Sequence, residues 1–120
     1  MNYVTINWHK KYPNNWKKNW SLIEEKWGND IGCPDGAFRD FNIDAKINSA
    51  YVVLGLLYGE DDFDKTLDIS TRAGQDSDCN PATAMGILAT VKGFSNIPNF
   101  WLKGLEEVED INFQFTEMSL

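Results

Sequence analysis

Apolar positions along this chain fall mostly at helical spacing. Trp16, Trp20, Ile23 and Trp27 recur at steps of four, three and four, which puts them on one stripe of a helix started by Asn14 or Asn15. Lys17, Lys18, Glu24, Glu25 and Lys26 take the other sides, so the stripe reads as core; a stacking platform for bases or sugars is the alternative. Gly28, with Asn29 and Asp30, ends this helix, and residues 28–42 read as a long loop dense in turn residues (Gly32, Cys33, Pro34, Asp35, Gly36). Asn42 or Asp44 caps a second helix, about Ala45 to Tyr58. Ile47, Ala50, Tyr51, Leu54, Leu57 and Tyr58 share one face, while Val52, Val53 and Leu56 make the others apolar too, the pattern of a buried central helix.

Gly59 stops that helix, and Asp61 or Asp62 caps a third that runs to about Ala73, with Phe63, Thr66, Leu67, Ser70 and Ala73 on one side and Gly74 just past its end. Asn80 followed by Pro81 reads as a cap with proline in the first helical position. The fourth helix, about Pro81 to Lys92, is rich in small residues (Ala82, Ala84, Gly86, Ala89) and closes at Gly93. A shorter helix from Ile97-Pro98 contains Phe100, Trp101 and Leu105, and the alternation Ile111, Phe113, Phe115 predicts a short strand or an extended tail on the core. The pattern as a whole is that of an all-α helical bundle.

Composition sharpens this picture. The 120 residues suit one domain, and 42% hydrophobic content with five tryptophans excludes intrinsic disorder. A net charge of −7 makes nucleic acid and anionic membrane surfaces poor partners. The acid is concentrated late, with twelve acidic residues between 60 and 120 against Lys65, Arg72, Lys92 and Lys103. The first twenty residues lack the apolar core of a signal peptide and no run is long enough to span a bilayer, so a cytoplasmic location is the default expectation. Cys33 and Cys79 match no zinc spacing and are expected to be free thiols. His9, in a Lys-rich segment expected to be mobile, reads as a surface histidine.

The residues Gly74-Gln75-Asp76-Ser77-Asp78-Cys79-Asn80-Pro81 carry the most chemistry. Asp76 and Asp78 lie two apart at the start of a helix, where a turn can aim both carboxylates at one point and hard cations such as Mg²⁺ find oxygen ligands. An EF-hand is rejected, because its required glycine is Pro81 and its closing glutamate is Ile87. Helix capping by Asp78 or Asn80 remains open beside metal binding, and Arg72 is expected in a surface ion pair rather than against Asp76 or a phosphate.

The runs Asn42-Ile43-Asp44-Ala45-Lys46-Ile47-Asn48, Leu56-Leu57-Tyr58-Gly59, Asp62-Phe63-Asp64-Lys65-Thr66 and Arg72 to Pro81, with the Ile97-Pro98 and Trp101 elements, resemble the C-terminal part of the ADP-ribosylglycohydrolase family. The likeness spans about residues 42–105, and its specific part is the Gly-x-Asp-x-Asp loop feeding a small-residue helix. The resemblance implies an all-helical hydrolase that cleaves ADP-ribosyl glycosidic bonds with a pair of Mg²⁺ ions. It makes Asp76, Asp78 and Cys79 the metal ligands and puts Gly74, Gln75, Ser77 and Asn80 on the substrate side. Cys79 departs from the family pattern, which has Thr or Ser there, and nothing in residues 1–41 matches the N-terminal motif that carries the remaining ligands and the catalytic acid. No catalytic residue is therefore assigned.

Two parts are expected within one domain: residues 1–41, a Trp-rich helix and loop, and residues 42–120, the ADP-ribosylglycohydrolase-like helical region. The resemblance implies a partial fold, the C-terminal part of a larger enzyme, with an ADP-ribosylated substrate when complete. Uncovered apolar area then predicts self-association or pairing with a separate N-terminal half. The alternative is a non-catalytic helical module that binds a cation or a protein partner.

Overall fold

The computed structural model describes residues 2–28 and 43–119. Their helices are α1 (Asn2–Lys11), α2 (Trp16–Trp27), α3 (Ala45–Gly59), α4 (Phe63–Arg72), α5 (Cys79–Lys92) and α6 (Asn99–Leu102), with 3₁₀ turns at Phe94–Asn96 and Leu105–Glu107. Among the described residues there is no strand, so the all-α expectation holds. Cys33 and nearly all of the predicted 28–42 loop lie outside the described residues. Two compact units are formed, Met1–Leu88 and Ala89–Leu120, with the boundary inside the span of α5.

In the first unit α3 is the hub, packed against α1, α2 and α4. Asp44 caps it by accepting the Lys46 N–H at 2.7 Å. Eight of its fifteen residues are buried, which is what its apolar composition demands. The core joins Ile47, Ala50, Tyr51, Leu54 and Tyr58 of α3 to Ile23 of α2 and to Ile69 and Ala73 at the end of α4. The tryptophan stripe packs there as core, with Trp16, Trp20 and Trp27 partly buried against this cluster. Asn15 caps α2 through the Lys18 N–H at 3.0 Å, and Asp62 caps α4 through the Lys65 N–H at 2.8 Å.

The α3–α4 seam is tight because two glycines on α3 face α4. A Cβ at Gly55 would lie 2.8 Å from Ser70 Cβ, and one at Gly59 would lie 2.9 Å from Thr66 Cα. Thr66 and Ser70 are fully buried in that seam, and Ser70 Oγ returns to the Thr66 carbonyl at 2.6 Å.

Three expectations need correction. Asn2–Lys11 form α1 rather than a mobile segment. Their Asn and β-branched residues are weak helix formers, so packing supplies the stability: Thr5 is buried, and Trp8 meets Trp27 with ring centroids 5.9 Å apart. The buried Asn19 side chain donates to the Thr5 carbonyl at 3.0 Å and ties α1 to α2. His9 is half-buried, edge-on to Tyr58 at 4.6 Å, rather than a surface histidine.

The second correction is the 111–115 alternation, which gives neither a strand nor a covered tail. Ile111, Phe113 and Phe115 are exposed in a turn-rich segment closed by a Phe113 N–H to Met118 C=O bond of 2.8 Å. A lone strand there would leave its backbone groups unpaired. The third is the short late helix, which stops at Leu102 because Lys103 turns to a ψ of 127° and Gly104 to a φ of 89°, leaving Leu105 in a separate 3₁₀ turn.

Candidate metal centre

The acidic loop connects α4 to α5 within the first unit. Its first step is a reversal: Gly74 and Gln75 have φ of 87° and 57°, two successive left-handed residues that turn the chain out of α4. No neighbouring atom crowds a Cβ at Gly74, so its backbone angle alone calls for glycine. Trp20 of α2 fixes the point of departure by donating Nε1–H to the Ala73 carbonyl at 2.7 Å. The Gln75 side chain donates to Glu24 Oε1 of α2 at 3.2 Å, and the Tyr51 hydroxyl of α3 donates to the same oxygen.

Asp76 follows, and its N–H donates to Asn48 Oδ1 of α3 at 3.1 Å. The same oxygen accepts Asn80 Nδ2 at 2.8 Å. α5 begins at Cys79, earlier than the sequence predicts, so Asn80 is not a cap. It lies inside the first turn with its side chain buried. Asp78 is the residue that directly precedes the first helical residue.

Ligand atoms of Asp76, Asp78 and Cys79 all lie within 4.8 Å of one another, with Asp76 half-buried and the other two exposed. Hydrogen bonding between the two carboxyl groups, aided by backbone hydrogen bonding at Asp78 and Cys79, holds Asp78 below its ordinary range. The Cys79 thiol is pushed up, first by its hydrogen bond with Asp76 and then by the charges of Asp76 and Asp78. A neutral thiol is a soft, weak donor for a hard cation, whereas the carboxylates match one. The pair of aspartates therefore fits Mg²⁺, and Cys79 fits it poorly. Helix α5 adds its positive end, which favours negative charge in this position.

Of the four residues expected on the substrate side, Gly74 makes the turn, Gln75 is engaged with Glu24, Asn80 is engaged with Asn48, and Ser77 is exposed. Arg72 pairs with Asp68 on the surface of α4, as expected. Sequence reasoning missed Glu24 and Asn48. Asn48 left a legible signal, a polar residue one turn before Tyr51 in a helix otherwise apolar on that face; Glu24 left none beyond its place beside the tryptophan stripe.

A family model described as ADP-ribosylglycohydrolase matches residues 12–117. This chain belongs to the ADP-ribosylglycohydrolase family. No curated protein and no solved structure matched it. Membership covers α2 to α6 and so includes the acidic loop and both helices that anchor it. The family is one of hydrolases that are in general metal-dependent, and the chain carries an acidic cluster of the kind that could hold a metal ion. No described helix is long and apolar enough to cross a membrane.

Proposed function

We propose that the chain is the metal-holding part of an Mg²⁺-dependent enzyme that cleaves ADP-ribosyl glycosidic bonds, acting in the cytoplasm. One observation carries this reading: two carboxylates converge at the positive end of α5, in a loop tied to α2 and α3, in a chain that belongs to this family. Asp76 and Asp78 would hold the ion, and Cys79 lies beside it as a neutral thiol rather than a strong third ligand. Gly74 and Gln75 set the direction of the loop, and Ser77 is the one substrate-side residue whose side chain is exposed beside the aspartates. When bound, Mg²⁺ supplies positive charge that orients ribose hydroxyls and phosphates.

This reading assigns no acid for activating water, and a complete site would need that group and the ligands of a second ion in addition to the acidic loop. The expected result is Mg²⁺-dependent binding of ADP-ribose by the chain, measured by calorimetry, with no release of ADP-ribose from ADP-ribosylated arginine. Failure to bind ADP-ribose in saturating Mg²⁺ contradicts the reading; cation binding alone would then favour the non-catalytic module. We also propose that the chain self-associates.

A further inference from the structure

Asn48 sits on the buried side of α3 and is only 6% exposed. A polar side chain there must be satisfied, since an amide buried without partners is strongly destabilising. Its Nδ2 donates to the Asp44 carbonyl one turn back at 3.0 Å, which fixes the orientation of the amide. Its Oδ1 then accepts from two groups of the acidic loop and its helix, the Asp76 N–H at 3.1 Å and Asn80 Nδ2 at 2.8 Å. Asn80 is itself 3% exposed, so this junction is sheltered from water. One oxygen of α3 therefore joins the backbone of the first candidate ligand to the first turn of α5. On the other flank, Gln75 is held by Glu24. Asp76 is anchored at its own N–H, one residue before and four residues after.

We propose that Asn48 is a positioning residue for the acidic loop: it fixes the Asp76 backbone, with Glu24 as the second anchor, so that the Asp76 and Asp78 carboxylates converge before a cation arrives. This rests on the metal reading above. Two charged side chains on an unanchored loop would have to be brought together against their mutual repulsion at the moment of binding. The anchors complete that ordering during folding. Groups in this relation to a metal ligand typically change metal affinity about 10–100-fold when removed.

The test compares Asn48→Leu with Asn48→Asp. Leucine keeps the volume and suits the apolar face, but it removes the acceptor; aspartate keeps an acceptor oxygen while losing the donor to the Asp44 carbonyl. Mn²⁺ alone is the probe, its affinity measured by calorimetry or by the loss of its free EPR signal. Exchange of the Asp76 amide hydrogen is followed in metal-free protein. The expected result is weakening of Mn²⁺ affinity by about tenfold or more in Asn48→Leu, a smaller loss in Asn48→Asp, and faster Asp76 exchange in Asn48→Leu than in Asn48→Asp. A purely structural role would lower the melting temperature of Asn48→Leu without moving the affinity of the folded protein, and that outcome overturns the proposal. If Asn48→Leu does not fold, Asn80→Ala, which removes one donor and leaves Asn48 in place, decides by the same two readouts; unchanged affinity and exchange overturn it. A wild type that binds no Mn²⁺ overturns the metal reading and the metal-positioning role with it, while exchange at Asp76 still reports separately whether Asn48 anchors the loop.

Discussion

Tyr51 is fully buried in α3, and its hydroxyl donates to the Glu24 carboxylate that also receives Gln75. Burial, then hydrogen bonding to and repulsion by that carboxylate, push its pKa well up from 10.0. Tyr58, buried at the other end of α3, is also raised, by desolvation. A raised tyrosine keeps its proton in the fold while the unfolded chain loses its own. The stabilising contribution is thus complete below pH about 10 and is lost as pH rises above it. Urea titrations should show stability falling from about pH 9.5 upward, more steeply in wild type than in Tyr51→Phe. Equal pH dependence in the two would contradict the burial of that proton. At the acid end, Asp78 is held low, so the stability linked to it is present above the ordinary carboxylate range and lost as pH falls through the lowered value. Trp20 is a third single-residue case. Trp20→Phe keeps an aromatic ring but removes the donor to the Ala73 carbonyl, for an expected loss of about 1 kcal/mol by chemical denaturation.

Helices α3 and α4 meet through Gly55 and Gly59, and this seam sets where α4 ends and hence where the acidic loop begins. Gly59→Ala would put a methyl 2.9 Å from the Thr66 Cα, which only a movement of the helix backbone relieves. The expected cost is about 1–3 kcal/mol, seen as a lower urea midpoint with unchanged slope; a midpoint equal to wild type would mean that the helices are not in contact there. Much at this scale was legible in the sequence. Asp44, Asp62 and Gly74 mark helix ends by local chemistry, and an apolar run with no polar face fixes α3 as central. Helix α1 was not legible, because its weak helix formers are held by Asn19, Trp27 and Tyr58, all distant in sequence. The start of α5 was missed for a related reason. Asn80-Pro81 has the local form of a cap, but Asn80 is drawn into the helix by a partner 32 residues earlier. The loop aspartates were legible as a pair; Asn48 showed only as a polar residue in an apolar helix, and the contacts by which it and Glu24 hold the loop come from the tertiary fold.

At the scale of the molecule, charge and apolar exposure are unevenly spread. Helices α1 and α2 expose Lys10, Lys11, Lys17, Lys18 and Lys26. The second unit exposes Phe94, Phe100, Ile111, Phe115 and Met118, and also Glu106, Glu107, Glu109 and Asp110. Exposed apolar side chains are the kind of surface through which the proposed self-association would run, and these acids would then be attracted to the lysines of a second copy. Sedimentation should show concentration-dependent association above the 13.7 kDa chain mass that weakens in high salt; a monomer at every concentration contradicts it. The central claim is that Asp76 and Asp78 hold a divalent cation, and thermal melting with and without Mg²⁺ tests it most directly. A ligand at a hundred times its Kd stabilises the folded state by about 2.7 kcal/mol, worth several degrees in Tm. The account predicts such a rise for wild type and none for Asp76→Ala/Asp78→Ala; a wild-type Tm indifferent to Mg²⁺, or an equal rise in the double variant, would contradict it.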